Sequence, residues 1–463
     1  MPAVVFGAFD RHNLGDMLLA HVAEALLAGR QIAFAGLADR DLRPLGGHRV
    51  HALPSLAARW RHGPALLWHA GGELLGCRAW QAALMLMDAA EAPAAAVYWQ
   101  RRAAARAAWA QRVLGTGART PYAVARERFP AAVRIVHAGV GGVALARAPQ
   151  SVQAELRTTL ASADAVAVRD ARTLAWMRAQ RIAANLVPDP AVLVAELFGR
   201  RIARHAARGE PARLRAAFPR GWIALQCSAV FGDDATLDAL AAAIAPAAHA
   251  NALGVALLRA GAAPWHDDAA VLRRLAARLG TRGVQVVESL HLWDLCAVVA
   301  GARAVVANSL HLRLVACAFA RARITLAAPG RGDAARKHRA VIAAWDADEL
   351  PGGAMPGVVA LAALAPAIAG LLARDAPDRR RRWPARRGTG GTLPARARGP
   401  SRRRAGLTAH APTGLRRGRR PAPAYSAASR TGMRRGTPGP ARSPKRPASV
   451  VPQCGQAPCS SRA

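Results

Sequence analysis

Short apolar runs alternate along the chain with stretches whose apolar residues recur at helical spacing. The runs at 3–7, 31–36, 65–69, 133–137 and 165–168 read as strands, and helical patterns follow at 16–27, 150–161 and 171–180. Residues 77–130 are less regular and place Trp80, Tyr98, Trp99 and Trp109 among several arginines. Such a mixture suits a sugar-binding surface, and amphipathic helices packed on a core explain it equally well. An Arg- and Ala-rich stretch at 196–219 reads as a linker helix. Beyond Gly221 the alternation resumes, with strands near 222–227, 254–259, 284–287, 304–307 and 323–326. Helices fall at 235–245, 268–279, 290–300, 309–319 and 333–345. This repeated alternation predicts an α/β protein with two Rossmann-like domains facing a cleft, 1–195 and 220–376, joined by the linker.

The stretch from Val305 to His311 is the most informative. Val305 and Val306 suit a buried parallel strand, and Leu312, Val315, Ala316 and Phe319 repeat with the period of one helical face. Asn308, Ser309, Leu310 and His311 therefore fall where a strand's carboxyl end turns into a helix. In an open α/β sheet ligands bind at that rim, and the helix start offers N–H groups to an anion. A histidine placed there can move a proton near neutral pH or can simply cap and pack against the helix.

Other turns repeat this placement. Asn13, Gly15 and Asp16 follow the first strand, with Asp16 as a helix cap. Gly71 and Gly72 follow the third strand, and Gly139, Gly141 and Gly142 follow the fourth, where they permit close backbone approach to a ligand. Arg169 ends the strand at 165–168. It can hold an anion in a bidentate fork or pair with Asp170 or another neighbour. Asp189 stands between Pro188 and Pro190, which close the first half with a fixed turn. The acidic pair Asp39 and Asp41 reads as a solvated loop. Neither GxGxxG nor a P-loop lysine motif is present, which counts against dinucleotide and Walker-type nucleotide binding.

Charge divides the chain. The net charge is +37, and residues 377–463 hold 22 of the Lys and Arg against the single acid Asp378. This Arg-, Pro-, Gly- and Ser-rich tail has almost no periodic apolar pattern and is expected to be disordered. It could contact nucleic acid or an anionic membrane through charge alone. An out-of-frame read-through of GC-rich DNA would give the same composition. Lysine is nearly replaced by arginine, leaving only Lys337 and Lys445. The six cysteines, Cys77, Cys227, Cys296, Cys317, Cys454 and Cys459, form no CxxC and point to buried, reduced thiols. No apolar run approaches the ~20 residues of a membrane span. The first residues lack a basic leader, so the expectation is a cytoplasmic protein, with the inner membrane surface a second location open to the basic tail.

Taken in order, Asn13-Leu14-Gly15-Asp16, Gly71-Gly72, His137-Ala138-Gly139-Val140-Gly141-Gly142, Val168-Arg169-Asp170, Val187-Pro188-Asp189-Pro190, and Ser309-Leu310-His311 with Lys337 resemble the polysaccharide pyruvyl transferase family. The resemblance covers roughly residues 3–345. It implies a two-domain fold similar to GT-B glycosyltransferases. It also implies transfer of a pyruvyl group from phosphoenolpyruvate, as co-substrate, to a saccharide or lipid-linked saccharide, forming a cyclic ketal without a metal or other cofactor. By the same resemblance His311 corresponds to the catalytic histidine. Arg169 corresponds to a donor-contacting arginine, and Ser309, Leu310 and Lys337 belong to the donor site. One departure stands out: the family usually shows Arg-x-His where this chain has Ser309-Leu310-His311. Arg303, Arg313 and Lys337 are the basic residues that could take over the missing charge.

Two other classes compete. A GT-B-like glycosyltransferase using a nucleotide sugar would need an acid near the second domain's site to hold a ribose, and Glu288 is the candidate. A basic nucleic-acid-binding protein would rest on the tail alone.

Overall fold

A computed structural model describes residues 1–280, 282–330, 335–345 and 357–373, all within one compact unit, Met1–Ala397. The expected basic tail lies outside the described residues. Two separate sheets form. The first contains β1 (Ala3–Phe6), β2 (Ile32–Gly36), β3 (Arg40–Asp41), β4 (Arg49–Ala52), β5 (Ala65–His69), β6 (Ala132–Val140), β7 (Ala165–Val168) and β8 (Asn185–Leu186), in the order β3-β4-β2-β1-β5-β6-β7-β8. All its pairings are parallel except that of β3 with β4 at the edge. The second contains β9 (Trp222–Gln226), β10 (Gly254–Leu257), β11 (Val284–Val286), β12 (Ala304–Ala307), β13 (Ala322–Leu326) and β14 (Val358–Val359). Its order is β11-β10-β9-β12-β13-β14, parallel throughout. The central strands β1, β5, β9 and β12 are buried at every residue, as helices on both faces of a parallel sheet require. This is the two-domain α/β architecture that the alternation predicts.

Differences are local. The stretch expected as one linker helix is two helices, Val194–Ala206 and Gly209–Ala217, divided at Gly209, whose φ is +58°. Asp39 and Asp41 flank or form the short exposed edge strand β3, and Asp41 pairs with Arg43. β4, between β3 and β2, and the edge strand β14 are short strands that periodicity did not separate from loops. The irregular region holds three helices, Ala79–Met85, Ala92–Gln100 and Ala103–Leu114. Their Trp99 and Trp109 rings stack at 4.8 Å.

The two sheets share one apolar core. Leu18 and Val22 on the helix Leu14–Leu26, Ile202 on the helix Val194–Ala206, and Leu295 and Val299 on the helix Leu292–Gly301 belong to one continuous cluster of buried residues. Backbone bonds reinforce the junction where the chain leaves β1. Leu14 N donates to the Ala260 carbonyl at 2.7 Å, and Ala262 N donates to the His12 carbonyl at 3.2 Å. The His12 ring adds to this latch. Its Nδ1 accepts from Ala262 N at 3.0 Å, so Nε2 carries the proton and donates to the Leu290 carbonyl at 2.8 Å. Burial holds that imidazole neutral. No described helix is long and apolar enough to cross a membrane.

Candidate active site

The carboxyl ends of β1, β5, β6 and β7 face those of β9, β10 and β12 across a cavity of about 510 Å³. Its walls include Arg11, Asp16, Glu73, Arg169, Gln226, Trp265, Asp267, Ser309, His311 and Lys337. Gln226 ends β9, and every other one of these except Lys337 sits in a loop or helix start that follows a strand, so the sheet topology delivers polar side chains to one place.

His311 occupies the first turn of the helix Leu310–Ala318, whose N-cap is Ser309. Ser309 Oγ accepts from Leu312 N, and Gln226 Oε1 accepts from Asn308 N at 3.0 Å and Ser309 N at 2.8 Å. The amides of Leu310 and His311 remain for an anion at this helix start. The His311 Nε2 atom is buried with no hydrogen-bond partner among the described residues, and Asp189 Oδ2 lies 3.8 Å from it. Burial pushes the His311 pKa down to about 4 against the pull of Asp189, so the ring is neutral near pH 7 until negative charge arrives.

Arg169 is fully enclosed. Its Nη1 donates to Asp189 Oδ2 at 2.7 Å and its Nη2 to Glu73 Oε2 at 2.8 Å. The partners are thus Asp189 and Glu73, not Asp170, which instead caps the helix Ala171–Ala179 through Thr173. The fork expected to meet a ligand is engaged by two protein carboxylates. The expected glycine contacts are likewise structural, because none of these glycines lines the cavity. Gly71 and Gly72 have φ near +100°; a Cβ on Gly71 would meet the Ala138 and Gly139 carbonyls of β6, and one on Gly72 would meet Asp16 Oδ1, while Gly141 N donates to the Gly72 carbonyl at 2.7 Å. A Cβ on Gly141 would fall 2.4 Å from Glu73 Oε2 and 2.7 Å from Arg169 Nε, and one on Gly139 would fall 2.5 Å from Pro190 Cδ. Gly142 N donates to Thr173 Oγ1 at 2.9 Å. Of these glycines, Gly141 makes room for the Glu73–Arg169 pair.

Asn13 caps the helix Leu14–Leu26, its Oδ1 accepting from Gly15 N at 3.0 Å, and bridges to Gly261 of the second domain. Gly15 is packed against the His311 ring. Asp16 lines the cavity, and burial pushes its pKa up to about 6 despite Arg11 at 3.9 Å.

Of the three basic residues that could replace the missing arginine, Lys337 alone lines the cavity. Trp345 Nε1 donates to the Arg169 carbonyl at 2.7 Å, tying the helix Arg336–Trp345 to the first domain, and so brings Lys337 to the wall. Desolvation lowers the Lys337 pKa, with Glu73 and Asp16 opposing. Arg303 precedes β12 at the sheet's opposite end and packs on Gly221. Arg313 is buried and bonds Thr325 Oγ1 at 3.2 Å. Glu288, the ribose candidate, lies outside the cavity wall and pairs with Arg273 and Arg259.

Residues that sequence pattern missed include Arg11, Gln226, Asp267 and Trp265. Asp267 clamps the loop after β10, accepting from Ala260 N, Gly261 N and Gln226 Nε2. Trp265 has a φ of +66°, is 46% exposed, and meets Trp80 edge-on at 5.9 Å from the other domain. A left-handed backbone at a tryptophan has no sequence signature.

Residues 148–327 match the family model described as polysaccharide pyruvyl transferase. The span includes Arg169, Asp189, Ser309 and His311, and leaves Arg11, Asp16, Glu73 and Lys337 outside. No curated protein matches the chain. Solved structures similar to it include UDP-GlcNAc 2-epimerase from Methanocaldococcus jannaschii, at 9% identity and TM-score 0.46 over 80% of this chain and 92% of that one. The UDP-GlcNAc 2-epimerase of Neisseria meningitidis shares 10% identity at TM-score 0.40, over 72% and 85% of the two chains. The ADP-heptose lps heptosyltransferase II of E. coli shares 13% identity at TM-score 0.37, over 80% and 98%.

Proposed function

We propose that this chain is a pyruvyl transferase that moves the pyruvyl group of phosphoenolpyruvate onto two hydroxyls of a surface or exopolysaccharide sugar. What carries the reading is the convergence of His311, Lys337, Arg11 and an open helix start in one interdomain cavity, in a chain whose residues 148–327 match that family.

The donor bears a carboxylate and a phosphate. The amides of Leu310 and His311 and the ammonium of Lys337 hold these anions, Lys337 supplying the charge that Ser309 lacks. The donor's negative charge favours the imidazolium of His311, which takes up a proton as the donor binds. His311 then protonates the methylene carbon of the enol, and the adjacent carbon becomes oxocarbenium-like. One sugar hydroxyl attacks it and loses its proton to Asp16, which is largely ionised above its pKa of about 6. Phosphate then leaves, and the second hydroxyl closes the ketal, its proton passing to the departing phosphate. Arg169 positions Asp189 and Glu73 behind these groups. Trp265, on the cavity wall with Trp80 edge-on against it, offers the aromatic face on which a saccharide stacks. This scheme uses no metal or further cofactor, and the acceptor is a free or lipid-linked saccharide met in the cytoplasm or at its membrane surface.

Two measurements test it. Phosphoenolpyruvate should raise the melting temperature where UDP does not. A saccharide incubated with enzyme and phosphoenolpyruvate should gain the mass of one pyruvate less one water. Protection by UDP with no such gain would transfer the assignment to a nucleotide-sugar enzyme.

A further inference from the structure

Away from the cavity, the helix Leu14–Leu26 and the loop before β4 bring His21, Glu24 and His48 together. Glu24 Oε2 lies 3.5 Å from His21 Nδ1 and 3.2 Å from His48 Nε2. The tautomer of His21 is set by its surroundings. Its Nε2 faces the Gly46 carbonyl at 2.8 Å, an acceptor only, so Nε2 carries the proton. Neutral His21 therefore turns the lone pair of Nδ1 toward a carboxylate oxygen. That Nδ1 is buried and has no hydrogen-bond partner among the described residues. A lone pair facing an anion is repulsive unless a cation lies between them.

We propose that His21, Glu24 and His48 form a structural binding site for one divalent transition cation, zinc being the best match. Ligand atoms about 2.0–2.1 Å from a tetrahedral zinc are separated by about 3.3 Å, and the two observed separations bracket that value. The imidazole–carboxylate donor set suits zinc. The N–H of His21 on a backbone carbonyl is the outer contact that orients a ligating histidine. His48 is held by stacking on Phe34, with ring centroids 3.7 Å apart, and Glu24 is half-exposed, leaving a fourth position for water. The neighbouring cluster of His205, His291 and Asp294 differs. There His205 Nδ1 bonds Asp294 at 2.6 Å, His205 Nε2 meets Arg208 at 2.8 Å, and Ser289 Oγ donates to Asp294 at 2.8 Å, so two of its three residues, His205 and Asp294, are already engaged by protein, while His291 Nδ1 is left without a partner among the described residues. A cation at His21 would staple the helix whose other end carries Asn13, Gly15 and Asp16 to the loop before β4.

The test uses the full chain, freed of metal by dialysis against chelator and titrated with cobalt(II) and then zinc. The expected result is one equivalent of cobalt with the visible absorption of a four-coordinate ion, displaced by zinc, and a melting temperature that rises with zinc. Glu24→Gln and His48→Gln should each weaken binding at least tenfold and abolish the zinc-dependent rise, while His205→Gln keeps both. Circular dichroism checks that each variant is folded. Glu24→Gln, at a half-exposed side chain, decides alone if His48→Gln is not. Absence of stoichiometric uptake by the wild-type chain, or equal uptake by folded Glu24→Gln, overturns the proposal.

Discussion

Gly15, at the start of the first domain's opening helix, lies so close to His311 of the second domain that a Cβ on it would come within 1.9 Å of the imidazole Nδ1. The glycine is needed here for space rather than for backbone freedom. Gly15→Ala must push the ring or part the two domains. A displacement of about 1 Å at a reacting group can cost about 10²-fold in rate. Turnover should therefore fall by about that factor while far-ultraviolet circular dichroism is unchanged. Full activity of Gly15→Ala would remove His311 from the chemistry.

His311→Gln should lower turnover by ~10²–10⁴, because Gln can accept a hydrogen bond and cannot deliver a proton. Calorimetry of phosphoenolpyruvate binding in buffers of different ionisation enthalpy should show proton uptake in the wild type and none in the variant. The stability signature is separate. The folded pKa of His311 is about 4, below the unfolded value of about 6.5, so the unfolded chain binds more protons between these limits. The wild type should thus lose stability relative to His311→Gln as pH falls from about 6.5 toward 4. A parallel pH dependence of the two melting curves would show that the ring is not buried as described.

Arg169→Ala should be costly to folding, since it strands Glu73 and Asp189 without their cation. Removing one partner of a buried ion pair typically costs about 3–5 kcal/mol. Chemical denaturation measures this, and Asp189→Asn in the same background should recover part of the loss. Unchanged stability with weakened donor binding would return Arg169 to the ligand-contacting role first expected of it.

Trp265→Gly separates strain from binding. Glycine accepts a φ of +66° without the cost, about 1–3 kcal/mol, carried by a residue held in an unfavourable backbone region. Stability should hold or rise, while the Michaelis constant for the saccharide increases about tenfold and donor affinity stays the same. A normal saccharide constant would exclude the Trp80–Trp265 wall from acceptor binding.

Ser309→Arg restores the usual family residue at the cavity. It forfeits the N-cap, worth about 1 kcal/mol, and adds a second cation beside Lys337. If the donor is phosphoenolpyruvate, its apparent affinity should rise as the melting temperature falls slightly. No gain in affinity would mean that Lys337 already fills that place or that the donor is another molecule.

By itself, the sequence determined the alternation of strand and helix, and with it the strand ends where Asp16, Arg169, Ser309 and His311 had to fall. Short-range apolar periodicity encodes such positions directly, because each strand must be buried and each helix must present one apolar face. Glycine and proline at the turns were legible for the same reason, as local backbone demands. Partnership was not legible. Arg169 meets carboxylates 96 and 20 positions away, and His311 meets a glycine nearly three hundred residues earlier, so no local pattern distinguishes a ligand fork from an internal ion-pair cluster. Lys337 and Arg303 look equivalent as basic residues, yet one lines the cavity and the other sits at the far end of its sheet. That difference arises only when two sheets pack with their carboxyl ends opposed, because long-range packing decides which charges share a low-dielectric space and which remain apart.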